Sequence, residues 1–287
     1  MQKSKAKDLI FNRIAVLPTL PQIVHKIITL VEEEDTSAKE LGALIANDQA
    51  ITTRLLKVAN SAYYGFMLQI ETLQKAVVVL GYEEVKSLAM GIAVFHSLRQ
   101  TNQKAGLDPE QFWLHSLGSA LIGQDISRRF HADSPGAAFT ASLLHDVGKL
   151  VISSALPEEY GGVFTLAQSQ NTDLSDAERE VLGFDHTEAG VWVCEKWKLP
   201  PVLTVPIHCH HRVLESTKEL LRMTAIVHSA DSLCNKSLIG HSGADAHKPV
   251  QEAALSVLRI DDEGFQRLLE PLSEHKTKAF ALLHSLH

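Results

Sequence analysis

The sequence predicts an all-α protein made of two helical subdomains, the second a helical bundle, and three observations support this. Apolar residues recur at helical spacing almost throughout the chain. No stretch alternates apolar and polar residues in the way a half-buried strand does. Helix start signals are frequent, either a capping side chain before proline or one followed by glutamate three residues later.

The first part of the chain contains a series of short predicted helices. Thr19 and Pro21 open a helix whose apolar residues continue to Val31, and SAKE at 37–40 is a capping-box pattern. The series ends near Leu98. The polar stretch RQTNQKAG that follows is expected to separate the two subdomains.

The second part begins with a long predicted helix over 109–130, which Asp108 caps and Pro109 opens. Ser134 and Pro135 repeat that arrangement, and SDAE at 175–178 and DHTE at 185–188 are further capping-box patterns. A polar loop at 240–249 precedes a helical tail. We therefore predict an N-terminal subdomain at 1–105, a second subdomain at 106–240 and a tail at 241–287 that packs on the bundle.

Composition excludes several classes of function. The chain has 287 residues, of which 45% are hydrophobic and 21% charged, and carries a formal net charge of −7. No apolar run approaches the roughly 20 residues of a membrane span, and the N-terminus has no signal-peptide pattern. Three widely spaced cysteines without a C-x-x-C suit a reducing compartment. We expect a cytoplasmic protein that does not bind membranes.

Nucleic-acid binding is not expected either. The segment ITTRLLKVANSAYYG resembles part of a helix-turn-helix, but Arg54 and Lys57 are its only basic residues. Its polar and aromatic end, NSAYY at 60–64, is expected to cap a helix and pack the two halves together. Facing a ligand is the alternative role of this cluster.

The segment LLHDVGKLVI places His145 and Asp146 in the middle of an apolar run. A buried charge is costly unless it is paired or bound to a metal ion. Neighbouring residues of one helix point about 100° apart, so a helix end or junction is needed for both side chains to converge. Gly148 is consistent with such a break. Alternatively, Asp146 simply caps the next helix.

Further imidazoles and one further acid provide partners for this pair. A single mid-helix histidine, such as His228, is more often a hydrogen-bonded core residue than a metal ligand. Imidazole and carboxylate together suit Fe, Mn, Ni or Zn. Seven such groups exceed one tetrahedral site and suffice for two divalent ions that share a bridging carboxylate. The seven are His115, His145, Asp146, His186, His210, His211 and Asp231.

The order His, His-Asp, His, His-His, Asp resembles the HD superfamily of metal-dependent phosphohydrolases, and within it the HD-GYP branch that hydrolyses cyclic di-GMP. The resemblance implies that all seven residues are metal ligands and that Asp146 bridges the ions. It also implies that Lys149 contacts a substrate phosphate, the alternative being a solvated lysine. Two features depart from the pattern: no Gly-Tyr-Pro follows the tandem histidines, and Gln111 stands where an acidic residue precedes the first histidine.

The first half contains three further motifs: the opening at Leu17–Pro21, the turn at Asn60–Gly65 and the helix junction at Ala76–Gly81. Together they resemble the HDOD family, the HD-related output domain of bacterial signalling proteins, and the likeness covers roughly residues 15–235. Many members of this family lack the metal ligands and act through contacts with partner proteins.

The sequence leaves three functions open. The first is a signalling output module that binds metal and acts mainly on partner proteins. The second is a phosphohydrolase acting on a cyclic dinucleotide or nucleotide, with Asp146 and Lys149 as catalytic residues. The third is a metal-free structural domain.

Overall fold

The structure is a computed structural model that describes residues 3–15, 26, 38–61, 64, 69–98, 107–130, 134–243 and 249–286. Within these ranges the regular structure is helical, which confirms the predicted fold class. The helices of more than one turn are α1 (Lys3–Ala15), α2 (Ala38–Ala46), α3 (Gln49–Ala59), α4 (Leu73–Leu80), α5 (Tyr82–Leu98), α6 (Pro109–Arg129), α7 (Pro135–Leu144), α8 (Val147–Ala155), α9 (Pro157–Gln170), α10 (Leu174–Val181), α11 (His186–Lys196), α12 (Pro201–Cys209), α13 (Leu221–Lys236), α14 (Glu252–Leu258), α15 (Asp262–Leu269) and α16 (Leu272–Leu286).

Helix α6 forms the centre of the bundle. Its side chains are buried almost all round between Phe112 and Ser127, as expected for a helix enclosed by others. It packs against α7, α13 and α16, and α7 also contacts α12 and α13. The buried apolar residues of the described chain form one continuous core.

The predicted start of α6 is confirmed, because the Asp108 carboxylate accepts hydrogen bonds from the backbone N–H groups of Glu110 and Gln111. Ser134 caps α7 in the same way through the Ala137 N–H. These caps satisfy N–H groups that the helix itself leaves without a partner.

A polar cluster around the buried Glu84 carboxylate joins the N-terminal helices to the bundle. The Glu84 carboxylate of α5 accepts hydrogen bonds from Tyr64 Oη at 2.7 Å, Gln124 Nε2 at 2.7 Å and Arg128 at 2.9 Å. Gln124 and Arg128 belong to α6. Asn60, at the end of α3, makes hydrogen bonds with both backbone groups of Ile70. Tyr64 and Asn60 therefore have the structural role predicted for the 60–64 cluster.

One local prediction is wrong: SDAE is not a capping box, since α10 begins at Leu174 with Asp173 in the N-cap position, and Glu178 bonds elsewhere. The predicted helix junction is present at His145 and Asp146, and Gly148 itself lies inside α8.

Other predictions lie partly or wholly outside the described residues. These are the helix from Thr19 except Lys26, Ser37 of SAKE, the opening motif Leu17–Pro21, part of the Asn60–Gly65 turn, the linker at 99–106 and part of the loop at 240–249. The division at residues 105 and 240 stays a prediction. No helix within the described ranges has the length and apolar character needed to cross a bilayer.

Candidate metal centre

All seven residues predicted as metal ligands converge on one buried region. They are delivered by five parts of the fold: the middle of α6, the turn between α7 and α8, the first residue of α11, the turn after α12, and the middle of α13. Three overlapping groups have ligand atoms within 4.8 Å of one another, namely His115–His145–Asp146, His145–His210–Asp231 and His186–His210–His211.

The turn between α7 and α8 makes the convergence of His145 and Asp146 possible. Helix α7 ends at Leu144, and Asp146 leaves the helical conformation with φ −100° and ψ 10° before α8 begins. Asp146 holds the N-cap position of α8, yet its side chain accepts no capping hydrogen bond. The simple capping alternative is therefore wrong.

Gly148 lets α8 approach α11 closely. A Cβ atom at this position would lie 1.9 Å from the carbonyl oxygen of His186 and 2.7 Å from the backbone nitrogen of Gly190. Because no side chain fits there, the glycine brings the first turn of α8 against the first turn of α11. The same contact brings Asp146 near His186.

The two carboxylate oxygens of Asp146 face different imidazoles. Its Oδ2 atom lies 3.3 Å from His145 Nε2 and 3.9 Å from His115 Nε2. Its Oδ1 atom lies 3.5 Å from His186 Nε2 and 3.9 Å from His210 Nε2. Asp146 thus lies between two ends of the site, with one carboxylate oxygen facing each end.

Asp231 completes the first end, which also contains His115 and His145. Its Oδ1 atom lies 3.1 Å from His115 Nε2 and 3.5 Å from His145 Nε2. Asn235, one turn later on α13, donates a hydrogen bond of 2.9 Å to the same oxygen. This end offers two imidazoles and two carboxylates.

The second end contains three imidazoles and the other oxygen of Asp146. The Nε2 atoms of His186 and His211 are 2.9 Å apart, and the ring centroids of His210 and His211 are 4.0 Å apart. His210 is fully buried, whereas His211 is partly exposed. The centre therefore approaches solvent on the side of His211.

Hydrogen bonds at Nδ1 fix the orientation of three imidazoles. His145 Nδ1 lies 2.7 Å from the Ser142 carbonyl oxygen, and His210 Nδ1 lies 2.9 Å from that of Ile207. His186 Nδ1 lies 2.6 Å from the Glu178 carboxylate. Since these oxygens only accept, each Nδ1 donates, and neutral imidazoles then present the Nε2 lone pair to the centre.

The residues fit divalent metal ions. Four buried atoms that face the centre have no hydrogen-bond partner: Nε2 of His115, His145 and His210, and Oδ1 of Asp146. Buried polar atoms without a partner are costly, and a cation in contact with them removes that cost. Imidazole and carboxylate are ligands for Fe, Mn, Ni and Zn.

Burial and neighbouring charges shift the pKa values of the candidate ligands in opposite directions. Burial disfavours protonated His145, but the carboxylates of Asp146 and Asp231 outweigh it and raise its pKa to about 9. Burial and the neighbouring imidazoles of His145 and His186 lower the pKa of His210 to about 3. Burial acts to raise the pKa of Asp231, but the imidazoles of His115 and His145, 3.1 and 3.5 Å from its Oδ1 atom, hold that pKa well below its usual value.

Lys149 is buried beside Asp146 and is not a solvated surface lysine. Its side chain is 1% exposed. Nζ donates hydrogen bonds of 2.9 Å to Asp146 Oδ2 and 3.0 Å to Ser242 Oγ. Ser242 reaches this position because the loop after α13 crosses α6, where the His241 N–H donates to the Gln111 carbonyl. Gly240, with φ +63°, approaches the α6 backbone too closely for a Cβ.

Two other histidines lie outside the centre. His228 is a hydrogen-bonded core residue, as predicted, with Nδ1 2.8 Å from the His210 carbonyl oxygen and Nε2 accepting from the Gln251 N–H. His208 lines a separate surface groove beside Trp192 and Cys209. All three cysteines are free and buried.

Three residues were missed by reasoning from the sequence: Glu178 and Asn235, which contact candidate ligands, and Ser242, which contacts Lys149. Glu178 was interpreted as part of a capping box, whereas Asn235 and Ser242 carried no interpretation. Asn235 had a readable signal, since a side chain four residues after Asp231 lies on the same helix face. Ser242 had none, because its contact with Lys149 spans 93 residues.

Comparison with known proteins identifies the family. The HDOD domain model matches residues 17–213. An HDOD domain protein of unknown function from Geobacter sulfurreducens is 26% identical with a TM-score of 0.84, and the match covers 97% of this chain and 98% of the other. A candidate signal transduction protein from Marinobacter aquaeolei VT8 is 20% identical with a TM-score of 0.81, over 100% of this chain and 66% of the other.

A curated relative extends beyond the length of this chain. It is an uncharacterized protein of Treponema pallidum (strain Nichols), 23% identical over 263 residues, and the match covers 91% of this chain and 50% of that protein. The chain thus spans about half the length of this relative. Since the HDOD model matches more than half of the sequence, the chain belongs to the HDOD family.

Proposed function

We propose that this protein is a signalling output module built around a two-ion metal centre and that it acts mainly through contacts with partner proteins. One observation carries the proposal: seven ligating groups from five parts of the fold meet in one place, and four of their buried atoms have no other partner. Output through partner proteins is what the family resemblance implies. The solved relative from Marinobacter aquaeolei VT8 is described as a candidate signal transduction protein.

In this function the ions would connect helices that are far apart in the chain. His115, His145 and Asp231 would hold one ion, His186, His210 and His211 would hold the other, and Asp146 would contact both. Metal binding contributes folding free energy when the ligands come from separate elements. The loaded state would therefore present a more rigid bundle to a partner.

A phosphohydrolase that acts on a cyclic dinucleotide or nucleotide is the second candidate, favoured by the position of Lys149. Two bound ions can activate water and stabilise the leaving oxygen of a phosphate ester. The Lys149 ammonium, 2.9 Å from Asp146, would offset phosphate charge beside the ions. We rank this second, because Lys149 is buried and already bonded to Asp146 and Ser242, and Gln111 replaces an acidic residue.

Metal content and turnover test the two candidates. We expect elemental analysis of protein purified without chelator to find about two ions per chain. Less than about 0.2 ions per chain would overturn both. The loaded protein should then be incubated with cyclic di-GMP and with nucleoside phosphates. No turnover supports the output module, whereas turnover that Lys149→Met abolishes and the exposed control Lys218→Met retains supports the hydrolase.

A further inference from the structure

Glu178 is a buried carboxylate that neither the capping pattern nor the ligand set explains. It lies on α10 and is fully buried, although glutamate is rarely buried without partners. Removing such a charge from water is costly unless it is hydrogen-bonded. The partners of this carboxylate therefore indicate what it does.

Both oxygens of Glu178 are occupied, and two of the three donors belong to His186. Oε2 accepts from His186 Nδ1 at 2.6 Å and from the His186 backbone N–H at 2.8 Å. Oε1 accepts from Tyr160 Oη at 2.7 Å. Tyr160 is itself fully buried on α9, so the carboxylate is held from both sides.

The two bonds to His186 fix the ring in position and in tautomer. An ionised carboxylate only accepts, so Nδ1 carries a proton and Nε2 of the neutral ring has a lone pair. That Nε2 atom lies 2.9 Å from His211 Nε2 and 3.5 Å from Asp146 Oδ1. The lone pair is thereby presented to the second end of the centre.

The carboxylate of Glu178 differs in charge from the Nδ1 partners of His145 and His210. His145 and His210 donate from Nδ1 to neutral backbone carbonyl oxygens. A charge-assisted bond to a carboxylate is stronger than a bond to a neutral carbonyl and raises the basicity of the ligand nitrogen. No side-chain change can remove the carbonyl partners, whereas the carboxylate of Glu178 can be removed.

We infer that Glu178 is a positioning residue for His186, and that it strengthens metal binding at the end formed by His186, His210 and His211 without acting on the end formed by His115, His145 and Asp231. This inference rests on the proposed metal centre. Loss of such a partner lowers metal affinity by about 10–100-fold in comparable sites.

A two-ion titration of the full chain with Mn²⁺ tests the inference. In Glu178→Gln the shape is kept and the charge is lost, and we expect one of the two binding steps to weaken by about tenfold or more while the other is unchanged. Glu180→Gln is the matched control, because Glu180 is exposed on the same helix. Asp231→Asn should weaken the other binding step, the one at the end formed by His115, His145 and Asp231. In a His186→Ala background, Glu178→Gln should have no further effect.

Imidazole ¹⁵N NMR of the metal-free chain provides a readout that a general loss of stability would not change. His186 should be protonated at Nδ1 in the native chain and in the Glu178→Gln variant, whose amide oxygen still accepts. In Glu178→Leu the preference for this tautomer should disappear. A Glu178→Leu chain that does not fold leaves the Glu178→Gln titration to decide.

The outcomes separate this inference from the proposed function. A native chain that binds no Mn²⁺ overturns the metal centre and the inference with it. A native chain that binds two ions, with Glu178→Gln indistinguishable from it or weakened equally at both steps, overturns only the role of Glu178.

Discussion

At the scale of single residues, Asp146 and Asp231 contact the centre differently. Asp146 faces imidazoles with both oxygens, His145 through Oδ2 and His186 through Oδ1. Asp231 lies nearest to the first end, where its Oδ1 atom is 3.1 Å from His115 Nε2 and 3.5 Å from His145 Nε2, and it comes within 4.8 Å of the second end at His210. Two carboxylates of the same chemical type should therefore have different importance for the number of ions bound.

The comparison of Asp146→Asn with Asp231→Asn tests this difference. We expect Asp146→Asn to reduce the metal content from about two ions to below about 0.5 per chain, because both ends lose a charged ligand. Asp231→Asn should retain about one ion, since the second end keeps three imidazoles and Asp146. Elemental analysis after gel filtration measures both. Equal losses in the two variants would show that Asp146 does not bridge.

Residue chemistry made the convergence of the seven candidate ligands predictable and left the residues that bond to them unpredicted. His145 and Asp146 were recognisable because a charged pair in an apolar run needs partners, and the order of the remaining ligands matched a known pattern. Ser242 bonds to Lys149, 93 residues away, and Glu178 bonds to His186 on the next helix, eight residues later, and no local pattern indicates either partner. Their roles follow from tertiary packing alone.

At the scale of secondary-structure elements, the contact between α8 and α11 positions the centre. It depends on Gly148, where an added Cβ would meet the backbone of His186 and Gly190 rather than a side chain that can turn away. A helix cannot relieve such a contact without moving as a whole. Movement of α8 would displace Asp146, which immediately precedes it.

Gly148→Ala should therefore destabilise the protein strongly. Overpacking of a core costs about 1–3 kcal/mol, and we expect the upper end of this range or more because the clash is with backbone. Gly162→Ala is the matched control: Gly162 is exposed within α9, nothing lies within 4 Å of the added Cβ, and alanine should gain about 0.5–1 kcal/mol. Urea denaturation measures both changes. A Gly148→Ala chain as stable as the native one would contradict this packing.

The contact between α16 and α6 should make stability sensitive to acid through His275. Its Nδ1 atom is buried without a hydrogen-bond partner, and its Nε2 atom lies 3.8 Å from Asp125 on α6. Burial lowers the pKa of His275, more than the Asp125 carboxylate raises it. The unfolded chain consequently takes up a proton at this site at a higher pH than the folded chain, so stability falls as the pH drops through about 6.5.

Replacement of His275 isolates this contribution. His275→Asn should lose less stability than the native chain between pH 7.5 and pH 5.5, whereas His284→Asn, an exposed position on the same helix, should behave like the native chain. Urea midpoints at the two pH values measure the difference. Identical losses in all three chains would contradict a role for His275.

Helix starts were predicted well where one side chain caps one helix, as at Asp108 and Ser134. The cap at Asp185 with Glu188 was also predicted correctly and forms both reciprocal bonds. The same reasoning failed at SDAE, because a glutamate at the matching spacing found a stronger partner in another helix. A local capping pattern predicts a helix start correctly only when the capping side chain has no stronger hydrogen-bond partner elsewhere in the fold.

At the scale of the whole molecule, the centre joins helices of the bundle and leaves the N-terminal helices outside it. The ligands come from α6, α11 and α13 and from the turns that follow α7 and α12, while α2 to α5 contribute none. The two regions are connected by the packing of α5 against α7 and of α3 against α16, and by the bonds of Glu84 to Tyr64, Gln124 and Arg128. A ligand that ties only one region should stabilise the two regions unequally.

Metal removal should therefore lower the stability of the bundle more than that of the N-terminal helices. Each of two ions present at 100 times its dissociation constant contributes about 2.7 kcal/mol, so at about 2–4 °C per kcal/mol a chelator that removes both should lower the melting temperature by about 10–20 °C. Hydrogen exchange should accelerate in α6, α11 and α13 and change little in α2 to α4. The Asp146→Asn chain is the control, since without bound ions a chelator should have no effect on it. Uniform acceleration along the native chain would mean that the ions stabilise the fold as one unit. In that case no separate region would change with metal binding, and a partner protein could not distinguish the loaded chain from the metal-free chain by such a region.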